Sequence, residues 1–210
     1  MWLIQLHVIV GLKAFAMEAA MAINGTPEND ILTGDAGANE IFGFGGADIM
    51  FGLGGEDIIA GGAGADVGVG GADADQIFAG DAFDFLGETD NSDGNILEGE
   101  GGDDLLFGGA GDDELYGGAD DDRLTGNGGN DIINGGFGND TAVFNGTNGF
   151  FISLTAGTAS ESGDTVSFDQ LISIENVFGS QGSDSIFGDE GANRLDGGEG
   201  ADFIEGGAGA

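Results

Sequence analysis

The sequence predicts an all-β fold, a parallel β-solenoid of about sixteen nonapeptide repeats that is interrupted by a β spacer. The first observation behind this prediction is a nine-residue unit, G-G-x-G-x-D-x-U-x, in which U is a large apolar residue. The second is its phase: of sixteen full units, thirteen have Asp at position six and fourteen have Leu, Ile or Met at position eight. Low complexity alone would not fix where the apolar residues fall, so the pattern indicates a true structural repeat.

Each unit predicts one turn followed by one short strand. Glycines at positions one, two and four permit a tight turn, and the last three residues form a brief strand with one side chain facing inward. If two units complete a circuit, residues eighteen apart stack, and the two walls are parallel sheets that cover each other. One inward column is expected to contain Leu32, Met50, a gap at Gly68 and Leu86, and the opposite column Ile41, Ile59 and Ile77.

The same stacking places the position-six carboxylates above one another in a chain with little charge to neutralise them. The chain has 39 Asp and Glu residues against 3 Lys and Arg residues, a formal charge of −36. Stacked strands lie about 4.8 Å apart, and two carboxylates at that distance repel by roughly 1 kcal/mol in water and by several at a less polar surface. Folding therefore requires a cation between the stacked turns.

Calcium is the cation that the available ligands favour. It binds six to eight oxygens and accepts carboxylates together with backbone carbonyls, which glycine turns expose, whereas magnesium demands a tighter octahedral shell. Soft metals prefer Cys or His, and the chain has no Cys and one His, His7. Asn39, Asn95 and Asn193 occupy position six without a charge, so weaker or absent sites are expected there. The predicted ligands of multiple calcium ions are Asp30, Asp48, Asp57, Asp66, Asp75, Asp84, Asp104, Asp113, Asp122, Asp131, Asp140, Asp184 and Asp202.

Units such as GGAGDDELY and GGFGNDTAV resemble the RTX, or hemolysin-type calcium-binding, nonapeptide repeat family, whose motif is GGxGxDxUx. The resemblance covers residues 25–143 and 179–210. It implies a parallel β-roll in which aspartates and turn carbonyls bind calcium between successive circuits. It also implies a secreted, extracellular protein, which a type I secretion apparatus exports unfolded at low calcium and which folds outside the cell.

The register of the repeat divides the chain into segments. Two extra residues, Glu88 and Thr89, separate two sub-blocks, and a distortion of the solenoid is expected over Ala79–Glu98. The spacer has fewer glycines, and its segments FFISL, DTVSF and LISIENV predict strands. The predicted organisation is an N-terminal extension, signal peptide or cap at 1–24, an RTX β-roll at 25–143 with sub-blocks 25–87 and 90–143, a β spacer or cap at 144–178, and a second short RTX block at 179–210 that is expected to be truncated.

Composition and motifs exclude several function classes. The negative charge argues against nucleic acid and anionic membrane surfaces as partners, because both would repel it. The apolar run Trp2–Leu12 is too short to span a bilayer. No HExxH, GxSxG or P-loop lysine pattern occurs, so an enzyme is not expected. The leading prediction is a calcium-binding, calcium-folded module of a secreted bacterial RTX protein.

Two alternatives for the function stay open. The first is a surface adhesin or matrix spacer, whose protein or glycan partner the sequence does not identify. The second is the calcium-binding tail of a secreted enzyme, such as a protease, lipase or epimerase, with its catalytic domain outside this chain. A separate alternative concerns the metal site alone: Thr89–Glu100 has ligand spacings like those of an EF-hand loop. Because Thr89 would be its first ligand and no flanking helix pattern exists, a distorted solenoid turn is favoured.

Overall fold

The computed structural model describes residues 20–80, 82, 84–87, 94–162 and 168–209. The signal peptide or cap predicted for the N-terminus therefore lies, up to residue 19, outside the described residues. The end of that segment forms the first strand, Met21–Asn24. The described residues contain no helix with the length and apolarity needed to cross a membrane.

The strands of the repeats are short because nearly all of them begin at position seven of a nonapeptide unit and end either at position nine or within the next glycine turn. In chain order they are β1 (Met21–Asn24), β2 (Ile31–Thr33), β3 (Asn39–Gly45), β4 (Ile49–Gly54), β5 (Ile58–Ala63), β6 (Val67–Ala72), β7 (Gln76–Gly80), β8 (Phe85–Gly87), β9 (Ile96–Gly101), β10 (Leu105–Gly109), β11 (Glu114–Ala119), β12 (Arg123–Asn127), β13 (Ile132–Phe137), β14 (Thr141–Val143), β15 (Phe150–Ser153), β16 (Thr158–Glu161), β17 (Asp169–Ile172), β18 (Asn176–Phe178), β19 (Ser185–Phe187), β20 (Arg194–Asp196) and β21 (Phe203–Glu205).

These strands form two sheets that face each other. The first has twelve strands in the order β1-β3-β5-β7-β9-β11-β13-β17-β16-β15-β19-β21, and the second has nine in the order β2-β4-β6-β8-β10-β12-β14-β18-β20. Successive strands alternate between the sheets as far as β14, so two units make one circuit. Within the repeat blocks the partners are parallel and, except across the two-residue insertion, eighteen residues apart, as in the pairs Ile41 with Ile59 and Leu32 with Met50. The prediction of an all-β parallel solenoid is confirmed.

The position-eight side chains fill the space between the sheets in the two predicted columns. Ile41 and Ile59 in the first sheet are fully buried. The expected gap at Gly68 is already filled by its neighbours, because a Cβ built on this glycine would lie 2.9 Å from Ile77 Cγ2 and 3.4 Å from Leu86 Cδ2. Packing across the core therefore excludes a side chain at this position.

The insertion between the sub-blocks leaves both sheets continuous. Residues 88–93 lie outside the described residues, but the strands on either side pair directly, Ile77 with Leu97 and Leu86 with Leu106. The distortion expected over 79–98 is wrong for the paired strands, because the extra residues fall between β8 and β9. The last residue of the EF-hand-like segment, Glu100, lies in β9 and pairs in solenoid register. The described part of that segment therefore has a solenoid structure.

The spacer continues the first sheet instead of covering the end of a repeat block. β15, β16 and β17 pair antiparallel in succession, while β17 and β15 pair in parallel with β13 and β19. In the second sheet β18 connects β14 to β20. Buried Ile152, Ala159 and Leu171 extend the apolar core through this region, which explains why the insertion lies within the sheet. Residues 163–167, which include the first four residues of the predicted DTVSF strand, lie outside the described residues.

Candidate metal centre

The position-six residues stack into two hydrogen-bonded ladders, one at the edge of each sheet. In both ladders the backbone N–H of one residue donates to Oδ1 of the residue one circuit later, at 2.5–2.9 Å. The order of the residues in each ladder is the one that the eighteen-residue spacing predicts. The hydrogen bonds also continue across the two-residue insertion, from Asp75 to Asn95 and from Asp84 to Asp104. One ladder contains Asp30, Asp48, Asp66, Asp84, Asp104, Asp122 and Asp140, and the other contains Asn39, Asp57, Asp75, Asn95, Asp113 and Asp131.

The second carboxylate oxygen, Oδ2, is buried without a hydrogen-bond partner in ten of these aspartates. Each of the ten residues is at most 2% exposed. A buried carboxylate oxygen without a partner carries a large desolvation cost unless a proton or a cation satisfies it. The ten residues are Asp48, Asp57, Asp66, Asp75, Asp84, Asp104, Asp113, Asp122, Asp131 and Asp140.

A backbone carbonyl of the next circuit lies close to several of these oxygens. A Cβ built on Gly43 would meet Asp48 Oδ2 and, at 2.6 Å, the carbonyl oxygen of Gly61. Both oxygens are hydrogen-bond acceptors, so the carbonyl cannot satisfy the carboxylate oxygen, whereas a proton or a cation can. A side chain on Gly43 would occupy the space beside these two atoms, which favours glycine at position one. The same arrangement recurs at Gly52, Gly61, Gly99 and Gly117.

Burial raises the pKa of nine of the stacked aspartates above the usual range for Asp. The ladder N–H lowers each pKa by less than burial raises it, and nearby carboxylates raise it further. The pKa of Asp104 is raised to about 8. The metal-free ladder therefore holds protons near neutral pH, and a cation that binds the same oxygens competes with them. The pKa is about 7 for Asp75, Asp84, Asp113 and Asp122, and about 6 for Asp57, Asp131 and Asp140.

The conformation of the position-two residue distinguishes two kinds of turn. In the ten units with an unpartnered Oδ2 this residue has a positive φ, for example 76° at Phe44 and 84° at Leu53; we call these open turns. In four other units the position-two N–H donates to the position-six side chain of the same unit, as Ser180 does to Asp184 Oδ2 at 2.7 Å; we call these closed turns. The closed turns begin at Gly25, Gly34, Gly179 and Gly188.

The closed turns share a second local hydrogen bond, which the sequence encodes. Their position-two residue is Thr, Asp or Ser, and its side-chain oxygen accepts the N–H two residues later. Asp35 accepts from Gly37 at 2.9 Å, and Ser180 accepts from Gly182 at 3.0 Å. This is the Asx or ST turn that short polar side chains favour. Closed turns form the first circuit of each repeat block, the one that no nonapeptide turn precedes.

Three of the thirteen predicted ligands differ in their surroundings from the other ten. Asp30 Oδ2 accepts the Thr26 N–H at 2.6 Å and the Thr26 hydroxyl at 2.8 Å. Asp184 Oδ2 is likewise occupied by Ser180. Asp202 is half-buried and accepts the Asp184 N–H at 3.0 Å, which is the stacking that its spacing predicts.

Two spacer residues that the sequence prediction omitted extend the ladders. Asp169, which is 8% exposed, accepts the Asp131 N–H at 3.1 Å, and burial raises its pKa to about 7. Glu175 accepts the Asp140 N–H at 2.9 Å. A short sequence pattern would have identified both residues. The triplets DQL and ENV repeat the acid-x-apolar end of the nonapeptide unit without its glycine turn.

The ladders can bind a metal only through mixed side-chain and backbone ligands. No group of three or more His, Cys, Asp or Glu side chains converges at one point within the described residues. The oxygens that do converge are carboxylate Oδ2 atoms and glycine carbonyls from successive circuits. Calcium accepts this donor set, whereas zinc and copper prefer nitrogen and sulfur ligands.

Comparison with known families agrees with this donor set. The family model described as the RTX calcium-binding nonapeptide repeat (4 copies) matches residues 24–59, 60–86, 89–124, 112–142 and 178–210, more than half of the chain. The chain belongs to the RTX calcium-binding repeat family. No curated protein matches it. The matched RTX repeats contain all thirteen predicted aspartates and exclude Asp169 and Glu175.

Proposed function

We propose that this RTX chain is a calcium-dependent folding module of a secreted bacterial protein, without catalytic activity of its own. Calcium is bound between successive circuits by position-six aspartates and turn carbonyls. The observation that carries the proposal is the set of ten buried Oδ2 atoms without hydrogen-bond partners. Where the neighbouring group is known, it is a backbone carbonyl, which cannot donate a hydrogen bond.

Calcium binding and folding are expected to be one process. A net charge of −36 opposes compaction of the metal-free chain. Each ion contacts two circuits, so binding at one site orders half of the next site, and a stacked array of this kind folds cooperatively. Export through a type I apparatus is consistent with this behaviour, because the low calcium of the cell interior would keep the chain unfolded until it reaches calcium outside.

Circular dichroism during a calcium titration at pH 7.5 tests the proposal. The chain should lack most of its β signal in excess chelator and gain it cooperatively in millimolar calcium. Magnesium at the same concentration is the matched control and should have a much smaller effect, because its octahedral shell dehydrates reluctantly. A β-rich spectrum in chelator that calcium leaves unchanged would refute calcium-dependent folding.

The number of bound ions tests the arrangement of the sites. One ion for each buried, unpartnered Oδ2 gives about ten ions per chain. Metal analysis of protein that has been gel-filtered in calcium measures this number directly. One or two ions per chain would contradict the ladder of sites, even if calcium still promoted folding.

A further inference from the structure

Glu175 lies where a repeat aspartate would lie, although it belongs to the spacer. The pairing of β14 with β18 places it one circuit beyond Asp140. Glu175 Oε2 accepts the Asp140 N–H at 2.9 Å, just as Asp140 Oδ1 accepts the Asp122 N–H at 2.9 Å. The N–H groups of Glu175 and Asn176 both donate to the Asp140 carbonyl, at 3.2 and 2.8 Å. The spacer segment is therefore held in ladder register.

Ser173 supplies a carbonyl where a repeat would supply that of a glycine. A Cβ built on Gly135 would meet both Asp140 Oδ2 and the Ser173 carbonyl oxygen. One circuit earlier the space beside Gly117 contains the corresponding pair, Asp122 Oδ2 and the Gly135 carbonyl oxygen. Ser173 itself has a φ of 49°, whereas in the open turns the positive φ belongs to the residue that follows the one supplying the carbonyl. The spacer thus supplies the same pair of oxygens with an unrelated sequence and a different backbone conformation.

Asp140 Oδ2 is the independent sign that this arrangement is a binding site. Asp140 is fully buried, and its Oδ2 has no hydrogen-bond partner. We propose that Asp140, the Ser173 carbonyl and Glu175 bind a calcium ion that joins the spacer to the second sub-block. The proposal rests on calcium binding by the repeats, the proposed function above. It assigns spacer ligands to the last of the ten ions counted there, because Ser173 and Glu175 lie outside the matched repeats, which stop at residue 142 and resume at 178.

The test compares Glu175→Gln with Glu190→Gln, the same change at an exposed glutamate of the second RTX block. The glutamine amide oxygen can still accept the Asp140 N–H, so the ladder bond is retained while the charge is lost. Metal analysis and calorimetric calcium titration should show one ion fewer per chain in E175Q and no loss in E190Q. Glu175→Asp keeps the charge and should keep the ion, which separates loss of a ligand from a defect in folding.

The outcomes distinguish this site from the general proposal. Equal ion counts and equal calcium midpoints in E175Q and E190Q would overturn the spacer site while leaving calcium binding by the repeats intact. The spacer site would also be overturned if E175Q and E175D both lost the ion and neither reached the β spectrum of the parent in saturating calcium. Glu175 would then act in folding alone. Failure of the parent chain to bind calcium would refute the proposed function itself.

Discussion

The ten open turns and the four closed turns are built on the same nine-residue pattern but leave the position-six oxygen in opposite states. In an open turn, such as that of Asp122, Oδ2 is buried without a partner. In a closed turn, such as that of Asp184, the backbone of the turn itself occupies Oδ2. The comparison teaches that Asp at position six does not by itself make a calcium site. We infer that the proposed site also requires a position-two residue that turns its N–H away from that oxygen.

The pH dependence of the metal-free chain is the largest effect expected from the open turns. Burial raises the pKa of eight of their ten carboxyls from 3.8 to values of about 6 to 8. The folded state therefore binds more protons than the unfolded state, and its stability is greatest below about pH 4 and is lost as the pH rises through 6 to 8. In chelator, circular dichroism should show a β-rich chain at pH 4.5 that unfolds towards pH 8.

Calcium should reverse this dependence, because it replaces the protons. The calcium midpoint should fall as the pH rises from 5 to 8, with release of protons that can be measured by calorimetry in buffers of different ionisation enthalpy. A chain that is equally folded in chelator at pH 4.5 and pH 8 would show that the open-turn carboxyls are not buried in the metal-free state.

Asparagine substitutions compare one open turn with one closed turn directly. Asp122→Asn places an N–H₂ group opposite the Gly135 carbonyl, as Asn95 does towards the Gly108 carbonyl at 3.5 Å. In chelator this variant should be more stable than the parent by about 1 kcal/mol, because an unpaired acceptor gains a donor. In calcium it should lose one ion and show a midpoint raised about tenfold.

Asp184→Asn is the matched control in a closed turn. Its amide can accept only one of the two backbone N–H groups, from Ser180 and Phe150, that the two carboxylate oxygens now accept. It should therefore destabilise the chain in chelator by about 1 kcal/mol and change the ion count little. The same sign of effect in chelator for D122N and D184N would remove the distinction between the two kinds of turn.

Opening a closed turn is the smallest effect and the sharpest test. Ser180→Gly removes the hydroxyl, which lies 2.9 Å from both the Asn148 carbonyl oxygen and Asp184 Oδ1 and can donate its one hydrogen to either of them, at a cost of about 1 kcal/mol in chelator. Glycine also permits a positive φ, so Asp184 Oδ2, which already lies near the Gly197 carbonyl, should gain one weak calcium ion. Ser180→Ala loses the same hydrogen bonds without favouring positive φ and should gain no ion. Equal ion counts in S180G and S180A would separate calcium binding from the position-two conformation.

The nonapeptide pattern was sufficient to predict the solenoid because each of its properties is local. Glycine spacing fixes where the turns lie, and the single apolar residue of each unit fixes which side chain faces inward, so the pairs Ile41 with Ile59 and Leu32 with Met50 follow from the period. The stacking of Asp48 on Asp66 follows for the same reason. The difference between closed and open turns is also local, since Thr26 and Ser180 make short-range hydrogen bonds that a reading of position two alone would have found.

The sequence by itself determined the period, the two columns, the ladder order and the oxygen ligands that favour calcium. Only the tertiary structure showed that the Oδ2 atoms of the open turns are buried and that several lie beside a backbone carbonyl, because that carbonyl comes from the next circuit. It also decided that the spacer joins the first sheet, since the pairing of β13 with β17 connects segments that no repeat relates. Glu175 entered the ladder in the same way: backbone pairing carries it to Asp140 over 35 residues, a distance that the eighteen-residue period does not contain.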